Sequence, residues 1–280
     1  MKRLSVLAVL VIAFFAFSVE SAEVVVLNPG KQLMLGGIMH AIKAFEKKTG
    51  IKVVIPKVGG CGYSVKALKE GKIDVGAMCC PANKDETGRL GLVDTSIARD
   101  AIVFVVHKSN PVNNLTTEQL RGIYQGRIKN WKEVGGPDKP IHPYAHIMCP
   151  NREEVMRQFL VGVRDYKKGK VGINNELFAP WVTNIKDETK VCDHIAADPN
   201  GIAPVSRSMV TDDVKVIAVD GVMPTTENIK NETYPIVRYL HIVTKGYPSG
   251  AAKKLIEFLR SAEGQRLIAK EGKIVPLPGF

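Results

Sequence analysis

Residues 23–78 alternate short apolar runs with helical stretches and small glycine-bearing loops, and this alternation leaves few folds open to the chain. "EVVVL" (23–27) is continuously apolar, as strands buried on both faces of a sheet are, and "NPGKQ" breaks it. In "GGIMHAIKAFEKKTG", Ile38, Ile42 and Phe45 fall on one helical face and Gly50 is a stop. "IKVVIPKV" reads as the second strand and "GGCG" as the second loop. "YSVKALKEG" reads as a short helix with Ser64 as a candidate cap and Gly71 as its end, and "KIDVGAM" as the third strand. Strands alternating with helices pair in parallel through crossovers. Ligands of such sheets sit where strand carboxyl ends meet helix N-termini. Both "GGCG" and "MCCP" lie at that edge.

The rest of the chain continues the pattern. "AIVFVVHKSNPV" (101–112) is another buried strand, running into a turn at Asn110–Pro111. "TTEQLRGIYQGRIKNWKEVG" reads as a helix from near Thr116 and then a turn with Trp131. "KPIHPYAHI" is a strand, "MCPN" a strand-to-helix loop and "REEVMRQFLVGV" a helix, so Cys149 repeats the placement of Cys61. Residues 191–207 read as a helix leading through Asp198–Gly201 into a strand. "YPIVRYLHIVTKG" (234–246) is a strand pair or one long strand, and 251–272 is an amphipathic helical region broken near Gly264. With no repeat and no low-complexity linker, two lobes would be joined by crossing strands. The expected organisation is α/β in two hinged lobes: 23–108 in the first, 109–210 in the second, and 211–280 returning to the first with C-terminal helices.

Lys2 and Arg3 followed by the 14-residue apolar run "LSVLAVLVIAFFAF" and the small residues of "SVESA" read as a secretory leader over residues 1–22, cleaved near Ala22. No later stretch is apolar enough to span a membrane. The full chain of 280 residues carries +11; removing the leader takes Lys2, Arg3 and Glu20 and leaves +10. The lysines are scattered and no aromatic-basic recognition motif is present, so nucleic acid is not the expected partner.

Several segments together carry a resemblance: "ALKEGKIDVGAMCCPANKDE", "IVFVVHKSNPVNNLTTEQLRGIYQGRIKNWKEVGG", "YPIVRYLHIVTKG" and "FLRSAEGQRLIAKEGKIVPLP". The chain resembles the periplasmic phosphate-binding proteins that serve ABC transporters. The resemblance implies two α/β lobes of the type II binding-protein fold, a hinge, and a small inorganic ligand held in the cleft. It also implies a periplasmic, monomeric receptor for an ABC permease or a sensor kinase, and not an enzyme.

The departures from that family are specific. Its loops usually read Gly-Ser-Gly, Ser-Arg-Pro and Gly-Ser-Gly-Thr-Arg. Here they read Gly60-Cys61-Gly62, Cys79-Cys80-Pro81 and Met148-Cys149-Pro150-Asn151-Arg152. The family's anion-clamping arginine falls on Ala145, and Pro150 removes a backbone donor. Thiols are weak hydrogen-bond donors, and thiolates prefer soft cations and metalloids to oxyanions. The expected ligands of Cys61, Cys79, Cys80 and Cys149 are therefore a soft metal, a metalloid such as arsenite, or an iron–sulfur cluster. Three thiolates suit As(III), two or three suit Cu(I) or Hg(II), and four suit Zn(II), mononuclear iron or a cluster.

Gly60, Gly62, Tyr63 and Asn151 are expected to line the site. Cys61 and Cys149 each precede a helix, whose dipole is expected to lower their pKa, with Lys57 and Lys84 as possible helpers. Side chains of adjacent Cys79 and Cys80 diverge in an extended chain, so both reach one small ion only if the backbone bends. A disulfide from Cys61 to Cys79 or Cys149 is the competing reading for an exported chain. Phosphate or another oxyanion, and a redox or electron-transfer role, are the alternative functions. Cys192 is expected to be a core residue, and His146 is the one histidine considered as a ligand.

Overall fold

The computed structural model describes residues 23–147, 155–166 and 170–280. The first unit comprises β1 (Val24–Asn28), α1 (Gly30–Gly36), α2 (Ile38–Thr49), β2 (Lys52–Val54), α3 (Cys61–Lys69) and β3 (Val75–Met78). β1 lies between β2 and β3 and is parallel to both, as the strand–helix alternation requires. In α2, Ile38, Ala41, Ile42 and Phe45 make one buried stripe. The helix ends where Gly50, at φ 75°, takes the left-handed conformation and returns its N–H to Glu46. α1 was not expected: within "NPGKQ" only Pro29 separates β1 from a helix that buries Leu33 and stops at Gly37.

After α4 (Lys84–Gly88) comes β4 (Leu92–His107), a 16-residue strand that starts well before the apolar run at Ala101. The chain continues through β5 (Asn114–Leu115), α5 (Thr117–Tyr124), β6 (His142–Ala145), α6 (Val155–Val161), β7 (Val163–Tyr166), β8 (Lys170–Ile173) and β9 (Thr183–Asn184). It closes with α7 (Val191–Ala196), β10 (Gly201–Ser206), β11 (Val214–Val219), α8 (Thr226–Lys230), β12 (Val237–Lys245), α9 (Gly250–Arg260) and α10 (Ala262–Ile268). Thr116 caps α5, its hydroxyl accepting from the Gln119 N–H. The C-terminal break falls at Ser261 rather than Gly264. Ser261 ends α9 and caps α10, while Gly264 sits where a Cβ would collide with the Phe258 carbonyl.

The sheet is mixed, in the order β2-β1-β3-β12-β4-β10-β6-β9, with β11 and β5 alongside and β7–β8 forming a separate hairpin. β4 is the shared member. Its first part, Leu92–Ala101, pairs antiparallel with β12, and its second, Ile102–Val106, pairs with β10. Two cores follow from this crossing. One gathers Val25, Leu27, Ile42, Phe45, Leu255 and Leu259 with Ile97 and Ala98 of β4. The other gathers Tyr124, Trp131, Leu160, Ile202 and Ile217 with Ala101–Val106 of β4. The expected two-lobe α/β architecture is thus built around strands common to both lobes. Among the described residues no helix is long and apolar enough to cross a membrane.

Candidate ligand-binding cleft

Asn28, the last residue of β1, is fully buried and organises the carboxyl edge of the first lobe. Its Oδ1 accepts from the N–H groups of Gly59 (2.9 Å) and Gly30 (3.3 Å), and its Nδ2 donates to Ser64 Oγ (2.7 Å) and the Gly59 carbonyl (3.2 Å). Ser64 in turn donates to the Ala77 carbonyl of β3 (2.6 Å). Ser64 is therefore not a helix cap. It is a buried pin inside α3, packed so closely that a Cβ on Gly76 would come within 2.7 Å of its own. Pinned this way, α3 begins two residues earlier than expected, at Cys61 rather than Tyr63, with extended Gly60 as its N-cap.

Three sulfurs meet at this edge. Cys61 opens α3, while Cys79 and Cys80 follow the end of β3 in a bend. Cys61 Sγ lies 3.3 Å from Cys79 Sγ, and Cys79 Sγ lies 3.8 Å from Cys80 Sγ. The Cys79 N–H also donates to Cys61 Sγ, at 3.3 Å. The bend is what lets both adjacent cysteines face one point. None of Cys61, Cys79, Cys80 or Cys192 is in a disulfide. Cys192 is buried in the second core with its thiol toward the Met209 carbonyl, 3.6 Å away.

The protonation of this cluster runs against a thiolate site. Hydrogen bonds with Cys61 and Cys80, reinforced by burial, push the Cys79 thiol well above its usual range. The hydrogen bond with Cys61, again with burial, pushes Cys80 up to about 12. Cys79 and Cys80 lie too close to Cys61 and to each other to ionise together, because a second negative charge beside a first in a buried pocket is disfavoured. Lys57 Nζ lies over the Tyr63 ring, 5.0 Å from the centroid.

A second polar cluster closes the same space from the sheet. Arg238 of β12 faces Asp100 of β4, its register partner, and donates to Asp100 Oδ2 from Nη2 (3.0 Å) and Nε (3.3 Å). Nη2 also reaches Ser206 Oγ, and Ser206 is within 2.9 Å of Glu188 Oε1. Arg238 and Asp100 are both almost wholly buried, and burial pushes the Asp100 carboxyl up against the pull of the guanidinium. Arg238, Asn28 and Asp100 were absent from the expected site. The signal was a charge inside the apolar run "YPIVRYLHIV", matched by "RD" just before "AIVFVV".

Between the clusters lies a cavity of about 360 Å³. Gly60, Cys61, Gly62, Tyr63, Cys79 and Cys80 line its first-lobe side. Gly60 and Gly62 stand where an added Cβ would meet only open space. Arg238 lines it from β12, and His146, Lys186 and Glu188 approach from the second lobe. His146 Nδ1 is 2.7 Å from the Ile185 carbonyl, so that nitrogen carries the proton and Nε2 is the one left for a ligand. The lobes also touch directly: Lys31 Nζ is 2.6 Å from Asp187 Oδ1, and Gln32 Nε2 is 2.9 Å from Glu188 Oε2. Ala145 is buried in the second core and does not line the cavity. Cys149 and Asn151 lie outside the described residues. Among the described residues, no group of three or more His, Cys, Asp or Glu is disposed to hold a metal ion. The expected four-sulfur set is therefore not a preformed metal centre in this part of the chain.

A family described as the PBP superfamily domain matches residues 19–263. The phosphate-binding protein PstS of Bacillus subtilis is 27% identical over 251 residues, covering 89% of this chain and 79% of that protein. PstS of Borreliella burgdorferi is 28% identical over 189 residues, 65% of each chain. Among solved structures, a putative phosphate ABC transporter substrate-binding protein from Clostridium perfringens, with bound phosphate, superposes with a TM-score of 0.77. That pair is 28% identical, over 91% of this chain and 100% of the other. A phosphate transport receptor from Vibrio cholerae, 23% identical, shares the fold at a TM-score of 0.65 over 91% of this chain and 100% of that one.

Proposed function

Because the chain belongs to the PBP superfamily, we propose that it is the extracytoplasmic solute-binding receptor of an ABC-type uptake system, a carrier of ligand rather than a catalyst. It takes a small inorganic oxyanion or oxyacid, and phosphate is the first ligand to test. The observation that carries this reading is the cavity at the strand carboxyl ends, lined by the first turn of α3, by Arg238 and by Lys31 and Lys186. A helix start and convergent cations are what an anion of phosphate's size needs. Relatives named for phosphate point the same way. The leader over residues 1–22 supports export, and a monomer handing its ligand to a permease, or reporting it to a sensor kinase, follows from the same reading. Calorimetry of the reduced, leader-free protein with inorganic phosphate tests it. One site in the micromolar range or tighter is expected; no heat at millimolar phosphate rejects phosphate as the ligand.

A second reading is favoured by one observation. The first-lobe donors to the cavity are Cys61, Cys79 and Cys80, sulfur where an oxyanion site needs hydroxyl. Arg238 is already held by Asp100. On this reading the receptor captures a thiophilic metal, a metalloid or an iron–sulfur cluster, with Cys149 as the second-lobe contribution. Elemental analysis of anaerobically purified protein separates the two: bound phosphorus supports the first, and bound iron with sulfide, copper, zinc or arsenic the second.

A further inference from the structure

We propose that Cys61, Cys79 and Cys80 form a condensing site for a trivalent metalloid hydroxide, of which arsenous acid is the simplest. This rests on the cleft-receptor reading above for where the ligand sits, and it names the ligand class of that cleft.

Spacing is the first support. For a bond of about 2.3 Å to sulfur, two sulfurs on one centre stand about 3.3 Å apart at a right angle and about 3.8 Å apart at the tetrahedral angle. The two measured separations, 3.3 Å and 3.8 Å, span that interval. A pyramidal three-bonded centre has angles between those limits, so Cys79 can share it with each neighbour, and the bend at Cys79–Cys80 is where the third bond would close.

Charge is the second. Binding a metal cation requires thiolates and expels protons. An uncharged hydroxide makes no such demand. Each S–H gives its proton to a leaving hydroxyl, one sulfur–metalloid bond forms as one oxygen–metalloid bond breaks, and three waters depart for three thiols. Neither sulfur nor metalloid changes oxidation state, and the pocket gains no net charge. Arg238, the cation nearest the sheet wall, is already paired with Asp100 and does not need an anion from the ligand.

Three thiols stand where the first lobe faces the second across Lys31–Asp187 and Gln32–Glu188. Water released on condensation leaves an uncharged metalloid trithiolate for the lobes to close upon.

The test uses the reduced, leader-free chain with arsenite, with inorganic phosphate alongside, read by X-ray absorption at the arsenic edge and by a count of titratable thiols. Three sulfur neighbours around arsenic and three thiols protected are expected, with affinity nearly constant from pH 6 to 8 because no proton is released. Zinc, in contrast, should bind more tightly as pH rises. C61S, C79S and C80S should each drop the sulfur count to two and weaken arsenite binding on the order of 100-fold, as the loss of one linked contact does. Their urea midpoints report folding independently. C149S should leave the count at three.

An arsenic shell of oxygen only, or a sulfur lost in C149S but not in C80S, overturns the assignment. Phosphate bound with arsenite ignored also overturns it and leaves the receptor reading standing. Neither ligand bound overturns both. Arsenite bound and phosphate ignored upholds the inference and rejects phosphate as the ligand.

Discussion

Two buried polar clusters face one cavity, and they are built in opposite ways. Arg238–Asp100–Ser206 is charged, sits on paired strands β12, β4 and β10, and has its geometry set by sheet register. Cys61–Cys79–Cys80 has no ion pair within it, sits at a helix start and a bend, and is held by weak contacts between sulfurs. The first cluster neutralises its own charge, although Asp100 Oδ1 is left without a hydrogen-bond partner; a ligand taking Arg238 would leave a carboxylate buried and unpaired. The second gives up little on meeting a better partner. Rigidity and binding capacity are thus assigned to different walls of the cleft.

The largest effect is expected from breaking the charged wall. Arg238→Met strands Asp100 in the sheet and should cost about 3–5 kcal/mol in urea unfolding, as removing one partner of a buried pair does. Arg238→Met combined with Asp100→Leu should recover much of that loss. A double variant no more stable than the single one would show that the pair does more than neutralise itself.

The sulfur wall depends on its anchor. Asn28→Ala leaves the Gly59 N–H and Ser64 short of a partner and should destabilise the fold by about 2–3 kcal/mol. It should also loosen the start of α3, read as faster amide exchange at Gly62–Ser64. Unchanged exchange would mean that α3 is positioned by its apolar face alone.

Alkaline pH distinguishes the walls next. Cys80 keeps its proton up to about 12 when folded, against a usual thiol value near 9. The folded state therefore holds more protons than the unfolded state across that window, and the associated stability, complete below pH 9, is lost as pH rises toward 12. Relative to C80S, the native chain should lose at least roughly 1.4 kcal/mol over the window, the equivalent of one pKa unit. Parallel stability curves for the two proteins would remove Cys80 from the buried cluster.

Smallest is the contact between the lobes. Lys31 and Thr189 hold the Asp187 carboxyl down at about 2, yet the pair is exposed. Lys31→Ala should change stability by less than about 1 kcal/mol. It should raise the Asp187 pKa toward the ordinary carboxylate range in carbon-detected titration and widen the ligand-free cleft in small-angle scattering. A closed cleft in the variant would place the restraint elsewhere.

How much of this was legible in the sequence follows the range of the forces involved. The alternation from β1 to β3, the stop at Gly50 and the cap at Thr116 are local patterns, and the chain folds accordingly. The positions of Cys79 and Cys80 just after β3 were readable for the same reason, whereas Cys61, read as a loop residue, opens α3. β4 was cut short because Arg99 and Asp100 interrupt its apolar run, and only pairing with β12, more than 130 residues away, makes that polarity buried structure. Arg238 was missed on identical grounds. Ser64 was misread because its partners, Asn28 and Ala77, lie on two other strands. Thiol ionisation could not be inferred from helix position alone, since the deciding neighbours are sulfurs brought near by a bend.

The place of β12 has a consequence for how the chain is made. It is the central strand between β3 and β4, yet it is among the last elements to be synthesised. Until Val237–Lys245 emerges, β3 and β4 each present an open edge, and the pairing of His241 with Met78 and with Ser96 cannot form. The first lobe therefore cannot close early in synthesis and wait for the second. Most of the polypeptide must exist before either half is finished, so a nascent chain remains thread-like for longer than a protein built from consecutive domains, and a truncation before Val237 leaves two strands in need of the same missing neighbour.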